Sequence, residues 1–226
     1  MDALKQDLAT CIRMLERQGI IDFNGHCSIR LPGDRLLINT GSCRRSRVVP
    51  GDMLVIDHSG AVLKGEGKPP LEFHLHVGIY RARADVGAIV HAHPRWSTYL
   101  TMTGHAYAPV FAQGALLHPV PVLPTPRSIN TPEMALRLAA TLGDRPAALL
   151  ASHGAVTVGA GIVDAFVLAV YLEENAERQY HALQIGKPYV FGDEDCAEAA
   201  AKLMNRALFR RTWDHFAAKL PPMEEP

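Results

Sequence analysis

Histidines in this chain stand where apolar runs stop, in three separate stretches: Leu71-Glu72-Phe73-His74-Leu75-His76, Ile89-Val90-His91-Ala92-His93-Pro94 and Ser152-His153-Gly154. Each lies beside a boundary between an expected helix or strand and a turn. A fold that unites them has to bring remote segments together, and the outcome is a carboxylate among several imidazoles. Neutral imidazoles bind divalent first-row metals well, and a nearby carboxylate serves as a further ligand or as an acid and base. His91 and His93 are two residues apart, so at the end of a strand both point to one face. Pro94 stops the strand there and leaves the pair where a ligand can reach it.

Taken singly, each residue has a plainer reading. Polar residues at a strand terminus often bond to backbone. A histidine at a turn, as His153 is before Gly154, is commonly structural and gains weight only by joining the pair. Glu72, in the first turns of a helix opened by Pro69-Pro70, complements the helix dipole, which favours its ionised form. His74 and His76 diverge on a helix, so one faces a site and the other packs or meets solvent.

At 226 residues the chain is expected to form one domain, 1–226. Nearly half of it is apolar, enough for a core without disulfide or metal staples. The 23 basic and 23 acidic residues balance, which argues against nucleic acid as a partner. Cys11, Cys27, Cys43 and Cys196 have no paired spacing and read as reduced thiols of a cytoplasmic protein. The charged N-terminus does not read as a signal peptide, and no apolar run is long enough to span a bilayer, so no membrane partner is expected.

Leu4, Leu8, Cys11, Ile12 and Leu15 fall on one face of a helix over 3–17, with Gly19 as its stop. Alternation then predicts strands at 27–31 and 36–39 around Pro32-Gly33-Asp34, and a second hairpin from 53–57 and 61–63. A helix is expected from Pro69-Pro70 to about residue 83, a buried strand over 86–91, a helix after Pro94 and a short strand at 120–123. Thr131-Pro132-Glu133 opens a helix ending near Gly143. Strands at 147–151 and 155–158 follow, then helices at 162–185 and 194–218 and a loose tail from Pro221 to Pro226. This order predicts a layered α/β or α+β domain with a largely antiparallel sheet.

Phe23-Asn24-Gly25-His26-Cys27-Ser28-Ile29-Arg30, Pro69-Pro70-Leu71-Glu72-Phe73-His74, His91-Ala92-His93-Pro94, Ser152-His153-Gly154 and Glu173-Glu174-Asn175-Ala176 come in an order and spacing that resemble the class II aldolase/adducin family, from about Leu4 to Pro188. The resemblance implies an αβα sandwich with a mainly antiparallel central sheet flanked by helices, assembled as a homotetramer with sites near subunit interfaces. It implies that His91, His93 and His153 bind one divalent ion per subunit, zinc or manganese, with cobalt or iron also acceptable. Glu72 is implied as the acid/base and as a fourth ligand at rest. Asn24, Gly25, Thr40 and Gly41 match positions that line the substrate pocket. Adducin-type members lack the ligands present here, which argues against a non-catalytic interaction domain.

One departure separates this chain from the phosphate-binding aldolases that it resembles. Those carry two serines just before the catalytic glutamate, where this sequence has Pro70 and Leu71. A phosphoryl dianion there would lose hydrogen bonds that it needs. Downstream, Ser42-Cys43-Arg44-Arg45-Ser46-Arg47 offers arginines suited to carboxylates, with Arg47 the candidate substrate contact, unless the loop is merely a solvated basic turn. The variant is similar to the branch that decarboxylates hydroxylated aromatic or pyridine dicarboxylates. The expected activity is therefore a metal-dependent carbon–carbon lyase, a decarboxylase working through an enolate or phenolate. The alternative is an aldolase for an unphosphorylated hydroxy-carbonyl compound. Either takes a small-molecule substrate.

Overall fold

A computed structural model describes residues 1–221; the tail expected to be loose lies, from residue 222 on, outside the described residues. Helix α1 (Asp2–Arg17) precedes a run of antiparallel strands, β1 (His26–Leu31), β2 (Arg35–Asn39), β3 (Met53–Asp57) and β4 (Val62–Lys64). Then come α2 (Phe73–Ala82), β5 (Ala88–Ala92), α3 (Arg95–Met102), β6 (Val122–Leu123), α4 (Pro132–Leu142), β7 (Ala147–Leu150) and β8 (Gly154–Gly159). Helices α5 (Ile162–Ile185), α6 (Asp193–Leu203) and α7 (Arg206–Ala217) finish the described chain. The strands form one eight-stranded sheet in the order β4-β3-β2-β1-β5-β8-β7-β6, antiparallel throughout except for the β6–β7 pair. No helix among the described residues is long and apolar enough to cross a membrane.

The period-two alternation of the strands sorts side chains onto two faces. Cys27, Ile29, Leu37, Val55, Val90 and Leu149 pack with α1, α5 and α7 in one core, and Leu36, Ile38, Ile56, Ile89 and Val156 pack with α2 and α4 in the other. This is the expected αβα sandwich. In β1 the alternation has a consequence: with Cys27 and Ile29 in the first core, His26, Ser28 and Arg30 turn toward α2. Arg30 clamps that helix from below. Its Nε donates to the Val86 carbonyl at 2.7 Å and its Nη2 to the Tyr80 carbonyl at 2.8 Å.

Two helix boundaries differ from expectation. Helix α2 starts at Phe73, not at Pro69-Pro70. Pro70 disfavours helical backbone at the residue before it, and the Lys68 carbonyl is held by the Gly41 amide at 2.9 Å, so 68–70 stay out of the helix. Glu72 is consequently the residue just before the first turn. The single helix expected over 194–218 is two, because the Asn205 side chain accepts from the amides of Ala207 and Leu208 and caps a new helix. Thr131 behaves as its sequence predicts and caps α4, accepting from the Met134 amide.

Candidate metal centre and its cavity

The site is built on the two middle strands. His26 in β1 and His91 in β5 are directly opposite in the antiparallel register, so both imidazoles project from the same face. His93 follows the last residue of β5, and His153 sits in the tight turn between β7 and β8. Ser152 makes that turn in left-handed backbone, φ 55°, an uncommon conformation for a residue with a side chain. The rings of His91, His93 and His153 lie 5.1–5.3 Å apart, centroid to centroid. His91 and His93 therefore do converge, although only the first belongs to the strand.

One donor atom each from Glu72, His91, His93 and His153 falls within 4.8 Å of all the others. Glu72 Oε2 is 3.4 Å from His91 Nε2, and Glu72 Oε1 is 3.7 Å from His153 Nε2. The buried Nε2 atoms of His91 and His93 have no hydrogen-bond partner among the described residues. Two tautomers are set by backbone: His91 Nδ1 faces the Ala155 carbonyl at 3.0 Å and His153 Nδ1 faces the Arg127 carbonyl at 3.2 Å. Each Nδ1 must then carry the proton, which leaves Nε2 a bare lone pair aimed at the cluster. Lone pairs buried without donors beside a carboxylate fit a divalent cation and little else.

The electrostatics agree. Burial first, then its imidazole neighbours His91 and His153, lowers His93 to about 4. Burial and His91 likewise lower His153. Burial alone would raise Glu72, but His26, His91 and the Ile129 amide outweigh it and hold the carboxyl well below the usual range. The Ile129 N–H donates to Glu72 Oε1 at 2.7 Å. Glu72 thus spends its charge on the cluster and on the 124–129 segment rather than on the N-terminus of its own helix, which it does not cap.

A cavity of about 600 Å³ opens over the cluster, lined among others by Asn24, Gly25, Gly41, Pro70, Leu71 and Ser128. Gly25 has φ 81°, and a Cβ there would press on Ile21 and the His91 carbonyl, so only glycine fits. Thr40 is buried beneath this wall and is not part of the lining. Arg47 is exposed and does not line the cavity either. The arginine that does is Arg45, buried, with its Nε donating to the Gly25 carbonyl at 2.9 Å and its Nη2 to the Gly41 carbonyl at 3.3 Å.

One feature escaped sequence reasoning and two were only partly legible in it. The segment 124–129 serves the site through backbone, with the Ile129 amide and the Arg127 carbonyl, and backbone groups carry no residue signature. His26 was visible only as part of a motif. His76 was one of two candidates on α2, and the structure buries it while leaving His74 partly exposed against Phe73.

Comparison with known proteins matches this architecture. The family model described as Class II Aldolase and Adducin N-terminal domain covers residues 6–180. The chain is 31% identical to the 5-methylthioribulose-1-phosphate/5-deoxyribulose-1-phosphate aldolase of Rhodospirillum rubrum, over 88% of this chain and 90% of that protein. It is also 31% identical to the 3,4-dihydroxyphthalate decarboxylase of Terrabacter sp., over 77% and 79%. A solved L-fuculose 1-phosphate aldolase superposes with a TM-score of 0.82 at 25% identity, covering 91% of this chain and 98% of that one. With the family model matching most of its length, this chain belongs to the class II aldolase and adducin family, as an enzyme of the metal-dependent lyase kind.

Proposed function

We propose that this lyase decarboxylates a hydroxylated aromatic or heteroaromatic carboxylate, with His91, His93 and His153 holding a divalent ion and Glu72 as acid/base and resting ligand. The observation that carries the choice is the wall beside Glu72. Pro70 and Leu71 line the cavity with carbon where a phosphate would need donors, and Leu71 is 84% exposed, an apolar surface suited to a flat ring. The metal, zinc or manganese by preference and cobalt or iron by tolerance of the donor set, supplies a positive centre that polarises substrate oxygens and stabilises the charge left by the broken bond.

The residues account for the proton. Glu72 starts ionised, so it accepts the proton of the substrate's ring hydroxyl. It then returns that proton to the ring carbon as the bond to the carboxylate breaks, the electron pair of that bond passing to the ring carbon and carbon dioxide leaving. The product phenolate takes a proton from solvent. Asn24 and the Gly25 and Gly41 backbone shape the pocket. Thr40 supports it from behind, Arg45 lines it while holding the Gly25 and Gly41 carbonyls, and Arg47 reaches substrate only if its loop moves inward.

The relatives named as sugar-phosphate aldolases support a second reading, aldol cleavage of a hydroxy-carbonyl compound, and Ser42, Ser128 and Ser152 give the cavity hydroxyls for it. Carbon dioxide release from a panel of hydroxylated benzene and pyridine dicarboxylates, with metal and with chelator, separates the two. Metal-dependent release supports decarboxylation. No release from metal-loaded protein transfers the assignment to the aldolase. We further propose a homotetramer of single-domain chains in the cytoplasm; the one continuous sheet running from β1 to β8 supports the single domain.

A further inference from the structure

Behind the metal centre runs a chain of four buried polar side chains that the ligand set does not use. His26 Nδ1 is 2.7 Å from His76 Nε2, His76 Nδ1 is 2.7 Å from Ser28 Oγ, and Ser28 Oγ is 2.8 Å from the Tyr80 hydroxyl. All four are at most 4% exposed. Tyr80 is fixed from outside by the Arg30 guanidinium, 4.6 Å from its ring centre. At the other end His26 Nε2 looks into the cavity, 3.9 Å from Glu72 Oε2.

Such a chain has two directions, and its ends choose between them. In one, Tyr80 donates to Ser28, Ser28 to His76 Nδ1, and His76 Nε2 to His26 Nδ1, so that His26 carries its proton on Nε2. In the other, every bond reverses. Either the Tyr80 proton or, where Ser28 accepts from both His76 and Tyr80, the Ser28 proton then has no acceptor among the described residues, and His26 Nε2 turns a lone pair toward the Glu72 carboxylate. A stranded donor and two facing lone pairs each cost free energy, so the first direction holds. His26 thereby differs from His91 and His153. Their Nδ1 atoms face carbonyls and leave Nε2 bare for a metal, whereas the Nδ1 of His26 receives a proton and leaves Nε2–H.

We propose that His26 is a substrate-binding residue, a fixed N–H donor to an anionic carboxylate oxygen of the substrate, and that His76, Ser28 and Tyr80 are positioning residues that set its tautomer. This deepens the decarboxylase reading and rests on it for the identity of the substrate. The donor is preorganised: it approaches the cavity already oriented and neutral, where a flexible cation would have to be ordered and desolvated.

The test begins with zinc-loaded protein carrying nitrogen-15 histidine. Its ring nitrogen shifts should show His26 protonated at Nε2, and phthalate, a ring dicarboxylate without a reacting hydroxyl, should move the His26 signal. Tyr80→Phe and Ser28→Ala should each blur the tautomer while zinc stays at one per chain. His26→Leu should keep zinc and lose about tenfold to a hundredfold in kcat/KM, mostly through KM, with His26→Gln recovering part because it retains an N–H. A proton on His26 Nδ1, no response to millimolar phthalate, or loss of zinc in His26→Gln would overturn the assignment. If the tautomer and phthalate response hold while no substrate in the panel is decarboxylated, the decarboxylase reading fails and the donor role stands.

Discussion

Gly154 meets Ala92 across the β5–β8 ladder so closely that a Cβ on the glycine would overlap the alanine carbonyl oxygen and lie 3.0 Å from His93 Cδ2. The absent side chain is what lets the turn carrying His153 close over the end of the strand that leads to His93. Gly154→Ala should separate these two histidines and destabilise the fold by about 1–3 kcal/mol, the usual cost of overpacking. Thermal unfolding and metal content of the purified variant should fall together. Full metal content would show that the strand ends yield without moving the ligands.

Glu72→Gln separates holding the ion from using it. The amide keeps an oxygen for the Ile129 N–H, and three imidazoles remain, so metal content should stay near one per chain. Turnover should fall by about a hundredfold or more, since the proton acceptor is gone. His93→Ala should instead lose metal and activity together, read by elemental analysis beside the rate. Undiminished metal in that variant would mean that the ligand set is wrong.

Arg45 and Arg47 should behave oppositely. Arg45 is only 4% exposed and bonds the carbonyls of Gly25 and Gly41, so Arg45→Ala strands buried acceptors. A loss of about 2–4 kcal/mol in urea unfolding is expected, and Arg45→Lys should recover little because lysine lacks the guanidinium fork. Arg47→Ala should change stability by less than about 0.5 kcal/mol. If it nevertheless raises KM sharply, the exposed loop closes on substrate.

The metal-free protein should lose stability in acid over a defined window. Burial first, with smaller contributions from His91 and Arg45, lowers His26 to about 4 against the pull of Glu72. An unfolded chain titrates this imidazole near 6.5. Between those values the unfolded state takes up a proton that the folded state refuses, so the His26 contribution to stability falls as pH drops from about 6.5 to about 4 and levels off below, where Glu72, held well below the usual carboxyl range, continues the loss. For His26 the ceiling is about 3 kcal/mol. Melting temperatures of chelator-treated protein at stepped pH read this directly, and a profile flat across that window contradicts it.

Local pattern carried a great deal of this molecule. Alternation located β1 and β2, an apolar run located β5, Thr131-Pro132 opened α4 where expected, and the apolar face of α1 is buried from Leu8 to Leu15. The donors Glu72, His91, His93 and His153 were legible because each stands at the end of an apolar run and because their spacing resembles a family pattern. What stayed hidden depends on distant pairing. That His26 opposes His91 follows from the β1–β5 register, which no local signal encodes. The choice of Arg45 over Arg47 turns on which guanidinium the fold buries. The break at Asn205 came down to one side chain outbidding a continuous helix for two amides.

The two middle strands, β1 and β5, have hydrogen-bonded neighbours on both sides, whereas Ser42, Arg47, Pro126 and Ser128 sit in connecting segments. His91 and its neighbour His26 are therefore lodged in the part of the chain least able to drift, and the rim of the cavity in the part that tolerates exchange. A lineage can trade one substrate for another by rewriting the rim while the bond-breaking apparatus stays as it was. Laboratory evolution of this enzyme should accordingly begin at the exposed side chains Ser42, Arg44, Ser46 and Arg47, and should leave Arg45 and the 127–129 backbone, which hold the centre in place, as they are.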